Sequence, residues 1–159
     1  MTTQQGSLLL LQDPVAQKLL NSTAPARVAY VWTDGTPRVI PIWFHWDGSQ
    51  IVLGTPTDAP KVAALAKNPK VALTIDSNEA PYKVLLMRGA AKVETISGIV
   101  PEYALAAERY YGAEAAGQWL TTLASVSTQM TRVAITPEWV GIIDFEQRFP
   151  NAIERAMGL

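Results

Sequence analysis

The chain has 159 residues, of which 48% are hydrophobic and 17% charged, so it is long enough to bury a core and too apolar to be disordered. Thirteen basic residues against fourteen acidic ones leave a formal net charge of −1, which provides no electrostatic footprint for nucleic acid or an anionic membrane. There is no cysteine and His45 is the single histidine, which excludes disulfides, thiolate nucleophiles and multi-histidine metal sites.

Residues 1–6 are polar, and the first ten residues are expected to be flexible. The apolar run Leu8 to Leu11 is too short for a membrane span and follows no basic region, so a cytoplasmic location is expected. Asp13-Pro14 reads as N-cap and first-turn proline of a helix running to about Leu20 and ended by Asn21-Ser22. Arg27 to Thr33 reads as a strand, Asp34-Gly35 as a turn, and the β-branched and aromatic stretch from Pro37 as a second strand. Asp47-Gly48 then turns the chain into a short third strand, Ile51-Val52-Leu53. On the Pro37 arm, Ile40, Ile42 and Phe44 share one face while Val39, Pro41, Trp43 and His45 share the other. Both rows are largely apolar, which predicts that both faces are covered. Pro41 has no N–H for a ladder, so it marks an edge, a bulge or a place where a ligand lies alongside.

Gly54-Thr55-Pro56-Thr57-Asp58 leads into a helical pattern with Pro60 and Lys61 in its first turn and Val62, Leu65 and Ala66 on one face. A cation at a helix N-terminus opposes the macrodipole by roughly 0.3–1 kcal/mol unless an anion accompanies it. Free N–H groups, two threonine hydroxyls and one ammonium suit a phosphate; the alternative is a solvated lysine. Asn68-Pro69 ends this helix. Val71 to Ile75 and the longer stretch Tyr82 to Thr95 read as strands, with Gly89 as a bulge or close approach. Pro101 to Tyr111 and Glu114 to Leu123 form an alanine-rich helical pair around a Gly112 C-cap. Met130 to Thr136 and Trp139 to Phe145 return to strand, parted by Pro137-Glu138. The whole predicts a single domain over 1–159, mainly β or α+β: about seven antiparallel strands in a small barrel with peripheral helices.

The succession Asp-Gly turn, Arg38-Val-Ile-Pro-Ile-Trp43-Phe44, Trp46-Asp47-Gly48, strand, Gly54-Thr55, helix-opening Lys61 and Asn68-Pro-Lys-Val-Ala-Leu resembles the pyridoxamine 5′-phosphate oxidase-like flavin-binding family. The likeness runs from about Arg27 to Val93 and more weakly to Phe145. It implies a split β-barrel of six to seven strands and a homodimer with flavin at the subunit interface. By resemblance, Arg38, Val39, Ile40, Pro41, Ile42 and Trp43 run along the flavin, Gly54 and Thr55 contact it, and Lys61 binds its phosphate. Three departures argue against vitamin B6 oxidation: Pro60 stands where the true oxidases carry arginine, Val84 where they carry glutamine, and Ile143 where they carry a C-terminal tryptophan segment. The Arg88-Gly89 pair is similar to the branch containing FMN-binding and deazaflavin-dependent reductases, which makes Arg88 a further candidate.

Each candidate has a plainer reading. Arg38 and Arg88 are phosphate donors or exposed strand residues, Trp43 a flavin neighbour or a core aromatic, and His45 a proton donor or a structural side chain. No nucleophilic triad or paired-carboxylate motif stands out, so no side-chain acid or base is assigned. The function implied is a flavin-dependent oxidoreductase acting on a small molecule, with FMN or the deazaflavin coenzyme F-420 as cofactor. The alternative is a flavin-binding or carrier protein without turnover.

Overall fold

Local chemistry sets the element boundaries in the computed structural model, which describes residues 3–159. The first helix, α1 (Pro14–Leu20), begins where an Asp13 side-chain oxygen accepts the Val15 N–H at 2.9 Å and Pro14 fills the first helical position. The strands are β1 (Ala26–Val31), β2 (Pro37–Ile42), β3 (His45–Trp46), β4 (Ile51–Thr55), β5 (Lys70–Asp76), β6 (Val84–Ser97) and β7 (Gln129–Ile143). They form one antiparallel sheet in the order β2-β1-β5-β6-β7-β4-β3. The remaining helices are α2 (Pro60–Lys67), α3 (Pro101–Tyr111), α4 (Ala113–Val126) and α5 (Asn151–Met157). The β3–β4 turn is closed by Asp47, whose carboxylate accepts the Ser49 and Gln50 N–H groups while Gly48 supplies a φ of 100°. The architecture is the expected α+β split barrel.

The spine of the sheet is the β6–β7 ladder, which pairs Val84 with Ile143 at one end and Ser97 with Gln129 at the other. Its register steps from Arg88↔Trp139 to Gly89↔Pro137, so Glu138 has no partner and forms a bulge. One extra residue reverses the phase of β7. Val133 and Ile135 point into the core before the bulge, Val140 and Ile142 after it, and Trp139 is thereby turned outward. Pro137 and Glu138 thus bend one strand instead of separating two, contrary to the sequence expectation. The count of seven is reached by the opposite change on the Pro37 arm, where Trp43 and Phe44 split one expected strand into β2 and the two-residue β3.

The inner face buries Val28 and Tyr30, Leu73 and Ile75, Leu85 and Met87, and Ile51 and Leu53 in one cluster. Ala16, Leu19 and Leu20 from α1 and Ala64 and Leu65 from α2 close it. Helix α3 packs on the other side of β3 and β4, and α4 packs on α3. The outer face of β2, β1, β5 and β6 is left open, with Val39 66% exposed. In the single chain, therefore, the row of Ile40, Ile42 and Phe44 is covered, whereas Val39 and Pro41 of the other row are exposed. Two further differences lie at the ends. Residues 3–10 are tied down where looseness was expected: the Gly6 N–H meets Val140 O at 2.7 Å, the Gln5 amide exchanges hydrogen bonds with the Ile142 backbone, and Leu10 is buried. The C-terminal α5, unforeseen from the sequence, buries none of its residues.

A Cβ on Gly89 would lie 2.1 Å from the Thr136 carbonyl oxygen, which belongs to backbone and cannot swing away. Gly89→Ala is expected to cost about 3 kcal/mol, the upper end of the overpacking range, read from chemical denaturation. A loss below about 0.5 kcal/mol would mean that the bulge does not need a glycine.

Candidate functional site

The turn from β4 into α2 carries the first group of candidates. Thr55 is buried at the end of β4 opposite Thr131, and the chain then runs through exposed Pro56 to Asp58 to the helix. The residue capping α2 is Ala59, which has no side-chain acceptor, and Pro60 occupies the first helical position. The N-terminus of α2 is therefore left without a side-chain cap. Lys61 is half-buried in this first turn. Burial alone lowers its ammonium below the ordinary lysine range, and no charged neighbour contributes. A cation that is partly desolvated, unpaired and set at the positive end of a helix is a group that an anion would stabilise. The donor set suits a phosphate.

The second group lies on the open sheet face. Val39 and Arg88 line a groove of about 310 Å³ floored by Ala29, Ala72 and Leu86. The Arg88 guanidinium lies 4.2 Å from the centre of the Trp139 ring, and Trp139 in turn lies over Gly141, where a Cβ would come within 2.6 Å of it. Pro41 shares this outer face, opposite Arg27 in the β1–β2 register, and β2 is the edge strand of the sheet. Its missing N–H thus falls on an edge strand. Arg27 is paired with Asp76 at 2.6 Å.

The remaining candidates face elsewhere. Ile40 and Ile42 are partly buried against the core, and the Arg38 guanidinium lies over the Trp32 ring at 5.1 Å. Trp43 is enclosed by α3: it stacks on Tyr110 with ring centres 5.2 Å apart, meets Tyr111 edge-on at 4.6 Å, and lies 5.9 Å from Tyr103. Gly54 sits beneath Tyr103, whose Cβ would be 2.7 Å from a Cβ on Gly54, so this glycine admits a helix to the strand. The structure brings Val39, Pro41 and Arg88 onto one face and Thr55 and Lys61 onto one turn. Trp43 and Gly54 meet at Tyr103, on the α3 side.

Trp139 and Tyr103 were not singled out in the sequence. The glycine two residues after Trp139 on the same strand face was a usable signal, because a large ring needs a residue without a side chain beside it. Nothing local marks Tyr103, since its contacts come from α3 crossing β4.

A family model described as pyridoxamine 5′-phosphate oxidase matches residues 13–144, from the cap of α1 to just beyond β7. The chain belongs to this family. Among solved structures, an F420 reductase is similar at 24% identity, covering 77% of this chain and 93% of its own, with a TM-score of 0.61. A conserved hypothetical protein from Mycobacterium tuberculosis is similar at 18% identity over 91% of both chains, with a TM-score of 0.67. The heme storage protein HutZ from Vibrio cholerae matches at 16% identity, covering 83% of this chain and 93% of its own, with a TM-score of 0.59. At these identities the structures share the fold. No curated protein matches the sequence. Among the described residues, no helix is long and apolar enough to cross a membrane, and no cluster of three potential metal ligands occurs.

Lys61→Met separates the two readings of this lysine by sign. Removing an unpaired, partly buried charge leaves the apo protein at least as stable, while FMN affinity is expected to fall by about 1.5–3 kcal/mol, the scale of a hydrogen bond to a charged group. Denaturant unfolding and calorimetric titration read the two quantities. Unchanged FMN binding would return Lys61 to the role of a surface residue.

Proposed function

We propose that the protein is a flavin-dependent oxidoreductase acting on a small molecule, as a homodimer with FMN, or its deazaflavin counterpart coenzyme F-420, between the subunits. The observation that carries this reading is Lys61, a half-buried ammonium with no charged neighbour, at an uncapped helix N-terminus in a chain of this family. In this reading Lys61 and the α2 amides hold the phosphate, Thr55 supports the turn, and the β2 edge at Val39 and Pro41 lies along the ring system. Bound flavin would supply the two-electron chemistry. Arg88, fixed by its stacking on Trp139, holds positive charge on the open face, where it favours an anionic ligand or an electron-rich ring edge. A second copy laid over the apolar groove would exclude water from the site. The reductase among the structural relatives supports the deazaflavin option.

The open face carries the Arg27–Asp76 pair and Arg88 and, among the described residues lining its groove, no free carboxylate, histidine or tyrosine. That favours a protein that binds and orients and takes little part in proton transfer, and it keeps a flavin carrier without turnover as the second reading. A cysteine-free chain of this kind is suited to the cytoplasm.

The absorbance spectrum of purified protein, with mass spectrometry of the released ligand, is expected to show FMN or a deazaflavin. Oxidation of NAD(P)H or reduced deazaflavin with a panel of acceptors then distinguishes the enzyme from the carrier. A haem spectrum would overturn the flavin reading, and heme-binding relatives make it a real outcome. Sedimentation at micromolar concentration is expected to give a dimer, since obligate homodimers bury on the order of 2,000 Å² or more. A 17.3 kDa monomer there would contradict it.

A further inference from the structure

Between β3 and the first turn of α3, two polar atoms are closed off from solvent with no hydrogen-bond partner among the described residues: His45 Nδ1 and Glu102 Oε2. Buried polar atoms are rarely left unpaired, because each gives up its hydrogen bonds to water on burial. The two groups lie close enough to influence each other's titration, and α3 packs directly on β3. The other Glu102 oxygen is already taken, since Oε1 accepts Arg132 Nε at 2.9 Å and Nη2 at 2.7 Å. Those bonds hold the Glu102 carboxyl below the usual carboxylate range, so it stays ionised and only accepts. A His45 Nδ1 that donates to this carboxylate carries the proton, and such a bond would fix the imidazole as its Nδ1–H tautomer.

The location gives the pair a role. Glu102 is followed by Tyr103, which bears on Gly54 and lies beside Trp43, and His45 is two residues beyond Trp43. We propose that His45 and Glu102 form a hydrogen-bonded pair that positions the first turn of α3 and, through Tyr103 packed on Gly54, the end of β4 that leads into Thr55 and the Lys61 turn. Both act as positioning residues, and the proposal rests on the flavin reading above. The charged groups around His45 are Arg109 and Glu102 from α3 and Asp47 from the β3–β4 turn. Arg132 from β7 holds Glu102 in place and is itself steadied by Glu94 of β6 at 3.6 Å. Burial lowers the imidazole below its ordinary value and Arg109 adds to this, whereas Glu102 and Asp47 oppose it. Removing the Glu102 charge must then lower the His45 titration further.

Because His45 is the only histidine, its ring nitrogens can be followed by NMR in histidine-labelled protein without assignment. In the wild type the neutral ring is expected to carry its proton on Nδ1, and in Glu102→Gln its titration is expected to move to lower pH. FMN titrations supply the functional arm. His45→Leu, which removes the donor, is expected to weaken binding about fivefold, the scale of one net hydrogen bond, and His45→Asn, which keeps an N–H near the Nδ1 position, is expected to restore it. A proton on Nε2 with no shift in Glu102→Gln would overturn the pair. Leu and Asn variants that both bind FMN as the wild type does would overturn its positioning role. If wild-type protein binds no FMN, the flavin reading and the positioning role fail together, while the NMR arm still reports on the bond.

Discussion

The approach of Gly89 to the Thr136 carbonyl is the constraint on which the sheet depends. Because the backbones meet there without a side chain between them, β7 takes up Glu138 as an extra residue and changes face midway. Before the bulge, β7 buries Val133 and Ile135 in the barrel and sends Arg132 toward α3. After it, Val140 and Ile142 point inward and Trp139 stands on the outer face. An unbulged β7 would place Trp139 in the core and leave Arg88 without a platform. One backbone contact thus sets which residues of β7 face the core and which face outward.

The two sides differ in physical character. On the α3 side, rings and ion pairs are used up by one another: Trp43 is held among three tyrosines, and Arg132 is held by Glu102 and Glu94. On the open side, groups are unspent. Val39 is exposed and the groove floor is apolar; elsewhere, at the turn after β4, the N-terminus of α2 presents Lys61 with no side-chain cap. In the reading proposed above, a cofactor and a second copy would use these groups.

Much of this was legible in the sequence because the signals are local. Asp13-Pro14 gave the start of α1, Asp47-Gly48 the hairpin and Gly112 the break between α3 and α4; each acts through the backbone within a few residues. What was misread depends on partners distant in the chain. Pro137-Glu138 looks like a break until Gly89 is placed opposite, and the polar N-terminal stretch looks loose until Gln5 meets Ile142. Gly54 is a cofactor residue by resemblance, and what the structure shows for it is the seat of Tyr103.

In the proposed reading, the open face of β2 is completed by a second copy and the flavin site is completed with it. The most direct measurement is sedimentation of Val39→Asp with detection at the flavin absorbance, because a charge at this exposed apolar position leaves the core untouched and is desolvated only if two faces meet. If the site lies between subunits, the variant sediments as a folded monomer and the flavin signal is lost with the dimer. A monomeric variant that keeps its flavin at wild-type affinity, or a dimer unaffected by the charge, would contradict the claim.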